Sequence, residues 1–203
     1  MLEQLQYQQR LPVRISETLF LGNANCVQNV RRLKHLGITA VLNLAGPMAL
    51  KRSTIRALSS NKIEYKRLDA LDQENYPLLP NDWLEAQEFI RESVAGGHGK
   101  CLVHCIAGVN RSVLTVAAYY MLSTKTPVLE TMKHIRRQRG NNALQNEGFQ
   151  EQLVAFARQN SLLGDSAKVM GDSANLRLPS CPLPDNKFGW HVRTVGPAEH
   201  SKG

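Results

Sequence analysis

The chain has little with which to build an exported or membrane-embedded protein. Four cysteines in 203 residues (Cys26, Cys101, Cys105, Cys181) are too few and too scattered for a disulfide scaffold, and none shows the close CxxC spacing of a zinc knuckle. Free thiols in a reducing compartment, cytosol or nucleus, are the expectation. The longest apolar run, Val113 to Leu122, has about half of the roughly 20 residues needed to span a bilayer, and Tyr119 and Tyr120 interrupt it. Met1 to Pro12 is rich in Gln and lacks a basic stretch followed by an apolar one, so no secretory signal is expected; Leu2 excludes myristoylation. Acid is also scarce: 17 Asp and Glu stand against 25 Lys and Arg, giving a net charge of +8. That excess points to an anionic partner, and charge alone leaves open phosphoprotein, nucleic acid, a phosphorylated small molecule or a membrane surface.

What is present suffices for one ordinary α/β domain. The chain is 42% hydrophobic and 21% charged, enough apolar surface for a single core at this length. Residues 1–12 read as an N-terminal extension and 13–163 as the domain. Residues 164–203, with Pro179, Pro182, Pro184 and Pro197 and no sustained periodicity, read as a disordered tail. Within the domain, β-rich runs (Leu19 to Leu21, Ala40 to Leu44, Glu64 to Leu68, Cys101 to His104) alternate with amphipathic stretches, the pattern of a mixed, mostly parallel sheet. Helices are expected at Val27 to Leu36, at Trp83 to Val94 with Asp82 as its cap, at Ser112 to Leu122, at Val128 to Arg139, and at about Glu147 to Asn160.

The chemistry lies in Cys101-Leu-Val-His-Cys-Ile-Ala-Gly-Val-Asn-Arg-Ser112, an apolar strand that enters a short loop and then an apolar helix. Such a loop turns successive backbone N–H groups toward a common centre, and the helix dipole adds positive potential there. Ile106, Ala107, Gly108, Val109 and Asn110 would supply the amides of this anion cradle. The Gly and Lys of a nucleotide phosphate loop are absent, and Cys and Arg stand in the loop instead. Cys105, at the strand end, faces amides, dipole and Arg111, all of which favour its thiolate, a competent nucleophile. Arg111 can present a planar fork to two phosphoryl oxygens. His104 would orient the loop, and Ser112 can donate to the sulfur when it becomes a leaving group.

His104-Cys105-Ile106-Ala107-Gly108-Val109-Asn110-Arg111-Ser112 resembles the HCxxGxxR(S/T) signature of the cysteine-dependent protein phosphatases, and among them the small, atypical dual-specificity phosphatases. The likeness covers about 150 residues. Ile15 to Gly22 resembles the family's first strands, Leu36 to Asn43 its next helix-strand unit, and Asn146-Glu-Gly-Phe149 with Leu153 its last helix. The resemblance implies a sheet with helices on both faces, phosphoprotein substrates carrying phosphotyrosine or phosphoserine/phosphothreonine, a phosphocysteine intermediate on Cys105, and no metal or other cofactor. It also implies a general acid. Asp72, 33 positions before the nucleophile, fits the family's spacing, ahead of Asp69, too near its strand, and Asp82, better used as a cap.

Singly, each of these residues has an ordinary reading: Cys105 a buried thiol, His104 a core histidine, Arg111 a solvated residue at a helix start. Their joint occurrence between strand and helix favours catalysis. Cys101 lies about 13 Å up the strand from Cys105 and reads as core, while Cys26 could protect Cys105 on oxidation only if the fold brought the two together. Lys133, His134, Arg136, Arg137 and Arg139 read as a solvated helix face, with substrate steering second. Asn146 reads as a helix cap. Two alternatives remain: an RNA 5′-triphosphatase-like enzyme, for which Asn110 before Arg111 speaks and Ser112-Val113 speaks against, and a phosphate-binding module without turnover. Nucleic acid is the less favoured partner.

Overall fold

A computed structural model describes residues 11–164; the N-terminal extension and the tail expected from residue 164 lie otherwise outside the described residues. The core is a five-stranded sheet ordered β1 (Val13–Arg14), β2 (Leu19–Asn23), β5 (Cys101–Cys105), β3 (Ala40–Asn43), β4 (Glu64–Arg67). Only β1 runs antiparallel; β2, β5, β3 and β4 are mutually parallel. Every residue of β2, β3 and β5 is buried, so helices cover both faces of the central strands, as expected for strands that read as continuous apolar runs. The four expected strands are all present within one or two residues of their anticipated ends. The two-residue β1 was too short to leave a periodic signal.

The helices are α1 (Ala24–Gln28), α2 (Val30–His35), α3 (Arg52–Ser60), α4 (Leu78–Ser93), α5 (Arg111–Thr124), α6 (Val128–Arg139) and α7 (Glu147–Gln159). The single helix expected over Val27 to Leu36 is two. Asn29 breaks it with non-helical backbone and caps α2, its side chain accepting from Arg32 N–H at 3.0 Å; Asn23 caps α1 in the same way, accepting from Cys26 N–H at 2.9 Å. The α4 helix starts at Leu78 rather than Trp83. Asp82 is therefore inside the helix and not its cap, and its carboxylate accepts from the Tyr76 hydroxyl at 2.8 Å. Pro80 is tolerated because it falls in the first turn, where an N–H has no intrahelical partner. The α3 helix was not anticipated from the sequence; its buried face is only Thr54 and Leu58.

Strand β5 is central, and its parallel neighbours β2 and β3 deliver their loops to the same edge of the sheet. Open α/β sheets bind ligands at that carboxyl edge. Helix α5 leaves the cradle and packs on β5 and β2, with α6 and α7 against it. Phe149 anchors α7 in this core with no exposed surface. Phe149→Ala is expected to cost about 3–5 kcal/mol, read as a fall in the urea midpoint at unchanged slope.

Candidate active site

The loop from Cys105 to Asn110 is held from outside, carbonyl by carbonyl. His104 Nδ1 lies 3.2 Å from the Cys105 carbonyl, and Ala24 N–H donates to that of Ile106 at 3.2 Å. Arg139 donates from Nη2 to the Ala107 carbonyl (3.0 Å) and from Nε to that of Gly108 (2.8 Å). Leu144 N–H takes the Val109 carbonyl at 2.8 Å, and Leu114 N–H takes that of Asn110 at 2.8 Å as α5 begins. Because each peptide unit is planar, with its C=O and N–H opposed, carbonyls drawn outward turn the amides inward. Gly108 has φ +66°, and a Cβ there would stand 2.6 Å from the Gly22 carbonyl oxygen, so its missing side chain lets the loop close onto β2.

Cys105 sits at the base, 1% exposed. Its Sγ accepts from Gly108 N–H at 3.3 Å and from the Ser112 hydroxyl at 3.2 Å. Arg111, also buried, donates from Nη1 to the carbonyls of Ala70 (3.0 Å) and Leu44 (3.4 Å). Its Nε lies 3.5 Å from Asp72 Oδ2 but has no hydrogen-bond partner, an orphan donor that an oxyanion would satisfy. Asp72 Oδ1 accepts from the carboxamides of Asn110 (3.1 Å) and Asn146 (3.3 Å). Asp69 is instead paired with Arg67 at 2.9 Å on the surface, and Asp82 with Tyr76. The fold thus brings Cys105, Arg111, Ser112, His104 and Asp72 together and leaves both rival carboxylates outside.

Several residues that shape the site were missed in the sequence. Arg139 is not part of a solvated face: it is 1% exposed and braces the cradle, and His134 is stacked on Tyr120 with Nε2 2.7 Å from the Ile15 carbonyl. The signal for Arg139 was present, since it falls on the apolar stripe of Val128, Met132 and Ile135 at helical spacing. Asn146 caps α7 through Phe149 N–H, as expected, and also reaches Asp72. Asn110 turns its side chain away from the cradle: Oδ1 accepts from Gln145 and Asn146 N–H (2.9 and 3.1 Å) while Nδ2 holds Asp72. Gln152 grips the segment after Asp72, donating to the Tyr76 carbonyl at 2.8 Å and accepting from Leu79 N–H at 3.1 Å. A Cβ on Gly148 would fall 1.8 Å from the Glu74 carbonyl oxygen, so α7 lies directly against this loop.

Cys26 and Cys101 are ordinary buried thiols, both pushed up to about 12 chiefly by burial. A Cβ on Gly22 would lie 2.5 Å from Cys26 Sγ and 3.0 Å from Leu102, placing Cys26 on the face of the sheet opposite Cys105. Pairing of Cys26 with Cys105 finds no support there.

A parallel sheet whose central strand ends in a cysteine, under an amide cradle with an arginine at the following helix start, is the architecture that the cysteine-dependent phosphatase signature implied. Residues 19–159 match the dual specificity phosphatase catalytic domain, and the chain belongs to that family. It is 35% identical over 141 residues to human dual specificity protein phosphatase 26, covering 70% of this chain and 64% of that protein. With human dual specificity protein phosphatase 13B it shares 30% identity over 136 residues, 67% of each chain. The crystal structure of DUSP15 superposes with a TM-score of 0.61 at 26% identity, covering 78% of this chain and 94% of that one. The chain therefore spans less than two thirds of the length of dual specificity protein phosphatase 26.

Burial holds His104 at about 4, below its ordinary 6.5, and the Arg111 charge adds to the effect. The ring is neutral at pH 7; facing a carbonyl, Nδ1 carries the proton, and the bare Nε2 is left without a partner. A depressed histidine binds its proton more readily in the unfolded chain, so its contribution is complete above pH 6.5 and lost as pH falls toward 4. The loss should reach about 3 kcal/mol near pH 4, and denaturant titrations of His104→Asn should lack that part of the acid slope.

Proposed function

We propose that the chain is a metal-independent protein phosphatase that hydrolyses phosphotyrosine and phosphoserine/phosphothreonine through a phosphocysteine intermediate, with residues 13–163 as its catalytic unit. The observation that carries the reading is the pairing of Cys105 Sγ, held by two donors at the cradle base, with the orphan Nε of Arg111 beside Asp72. The phosphoryl group lies in the cradle amides of Ile106 to Asn110, with Arg111 on its oxygens. The Cys105 thiolate attacks phosphorus, the P–O ester bond breaks, and protonated Asp72 delivers its proton to the departing oxygen. Water then attacks phosphorus as the Asp72 carboxylate takes its proton, the S–P bond breaks, and Ser112 hydrogen-bonds the released thiolate. His104 and Arg139 act as positioning residues through the loop carbonyls.

Two arms support protein over RNA and turnover over mere binding. Asn110, the feature shared with RNA phosphatases, is accounted for by its bonds to Asp72 and to the start of α7. Both Cys105 and Arg111 are intact, unlike the usual loss in binding-only relatives. The three described cysteines are free thiols, which supports a reducing compartment, cytosol or nucleus; no helix among the described residues is long and apolar enough to cross a membrane.

Hydrolysis of an aryl phosphate with excess chelator should vanish in Cys105→Ser and fall by about 100-fold in Asp72→Asn, with loss of the pH limb that reports the acid. Wild type without turnover but with phosphopeptide affinity would move the assignment to a binding module; preference for RNA 5′-triphosphate ends over phosphopeptides would move it to RNA. The two carboxamides on Asp72 yield a second outcome. Asn110→Ala and Asn146→Ala should slow phenyl phosphate, whose leaving group needs a proton, by about tenfold or more, and p-nitrophenyl phosphate far less. Equal losses on both esters would mean the asparagines serve the cradle, not the acid.

A further inference from the structure

Between Glu17 and Glu64 the chain has no acidic residue at all. Over the same stretch it carries Arg31, Arg32 and Lys34 on α2, then Lys51, Arg52 and Arg56 at and within α3, and Lys62 after it. All of these side chains are exposed, and none is paired with a carboxylate among the described residues. On β4, by contrast, Lys66 and Arg67 pair with Glu85 and Asp69. These seven exposed cations form an acid-free stretch of surface, and α2 packs against α3 to make it continuous.

The track has a defined start. Lys51 and Arg52 open α3 directly after the loop that follows β3, and that loop's Leu44 carbonyl holds Arg111. From this edge α3 runs back across the sheet to hand the chain to β4. Nine residues at about 1.5 Å each make roughly 13 Å, the span of about four extended residues. We infer that the α2–α3 face is a docking track for an acidic segment of the protein whose phosphorylated residue occupies the cradle. The inference rests on the phosphoprotein reading for what lies at the cradle end.

Other anionic occupants fit less well. Single-stranded nucleic acid needs exposed rings among the cations for base stacking, and the only aromatic between Glu17 and Glu64 is Phe20, 4% exposed. A lipid surface needs an apolar face to insert, and Met48 is the one large apolar side chain strongly exposed in this stretch. The chain's own C-terminal segment is no counter-charge: beyond Gly164, Asp165, Asp172, Asp185 and Glu199 are matched by five Lys and Arg.

The test uses the full chain in two arms. In the first, a fluorescent, unphosphorylated Glu-rich peptide is titrated into Cys105→Ser and into Cys105→Ser carrying Arg52→Glu and Arg56→Glu. Binding should weaken by at least about tenfold with charge reversal and fade as salt rises from about 50 mM to about 500 mM. This arm stands whether or not the chain turns over any ester, so its failure is separable from failure of the phosphatase reading. In the second, wild type should favour a phosphopeptide flanked by acidic residues over a neutral-flanked one by about tenfold, and Arg52→Glu/Arg56→Glu should erase that preference while keeping aryl phosphate turnover. Glu at the first turn of α3 suits the helix dipole, so loss of folding is not the expected cause. Peptide binding indifferent to charge reversal, or tighter binding of RNA of equal charge or of phosphatidylserine vesicles, would overturn the inference.

Discussion

Everything in this site depends on where six carbonyl groups point. A loop of consecutive peptides can offer its N–H groups to one anion only if its C=O groups are engaged elsewhere, since an unpaired carbonyl would turn back to compete. Here each carbonyl from Cys105 to Asn110 has a donor outside the cradle, drawn from the neighbouring histidine, α1, α6, the loop before α7 and α5 itself. The cost of fixing the loop is met by elements that are folded for their own reasons. A buried guanidinium, Arg139, takes two of the six, and burial alone lowers its proton affinity without removing its charge.

The same elements couple cradle and acid. Asn110 belongs to the cradle by its backbone and to Asp72 by its side chain, while Asn146 belongs to α7 and also reaches Asp72. Gln152 and the bare Cα of Gly148 clamp the segment after Asp72 on α7. Helix α7, the last of the domain, therefore sets the acid loop against a cradle formed more than thirty residues earlier in the chain. Rigid support of this kind is what the general-acid role proposed for Asp72 requires.

Charge is distributed by a different logic. At the cradle, cations are buried and each is tied to carbonyl oxygens, so they define geometry. On α2 and α3 they are exposed and unpaired, so they project a field. Buried cations thus shape the cradle, whereas the exposed ones of α2 and α3 are free to act on a distant partner.

The amino-acid sequence by itself determined the class of fold and the motif that carries Cys105 and Arg111. Apolar runs of strand length alternating with helical stripes specify a parallel sheet, and Cys105 and Arg111 are six positions apart because one short loop must present both. Local chemistry is legible because it is local. Which of Asp69, Asp72 and Asp82 meets Arg111 was settled by tertiary structure, as were the burial of Arg139, the break at Asn29 and the grip of Asn110 and Asn146 on Asp72. Those outcomes depend on how helices far apart in sequence pack around the carboxyl edge of the sheet, and periodicity within one segment carries no record of its neighbours in space.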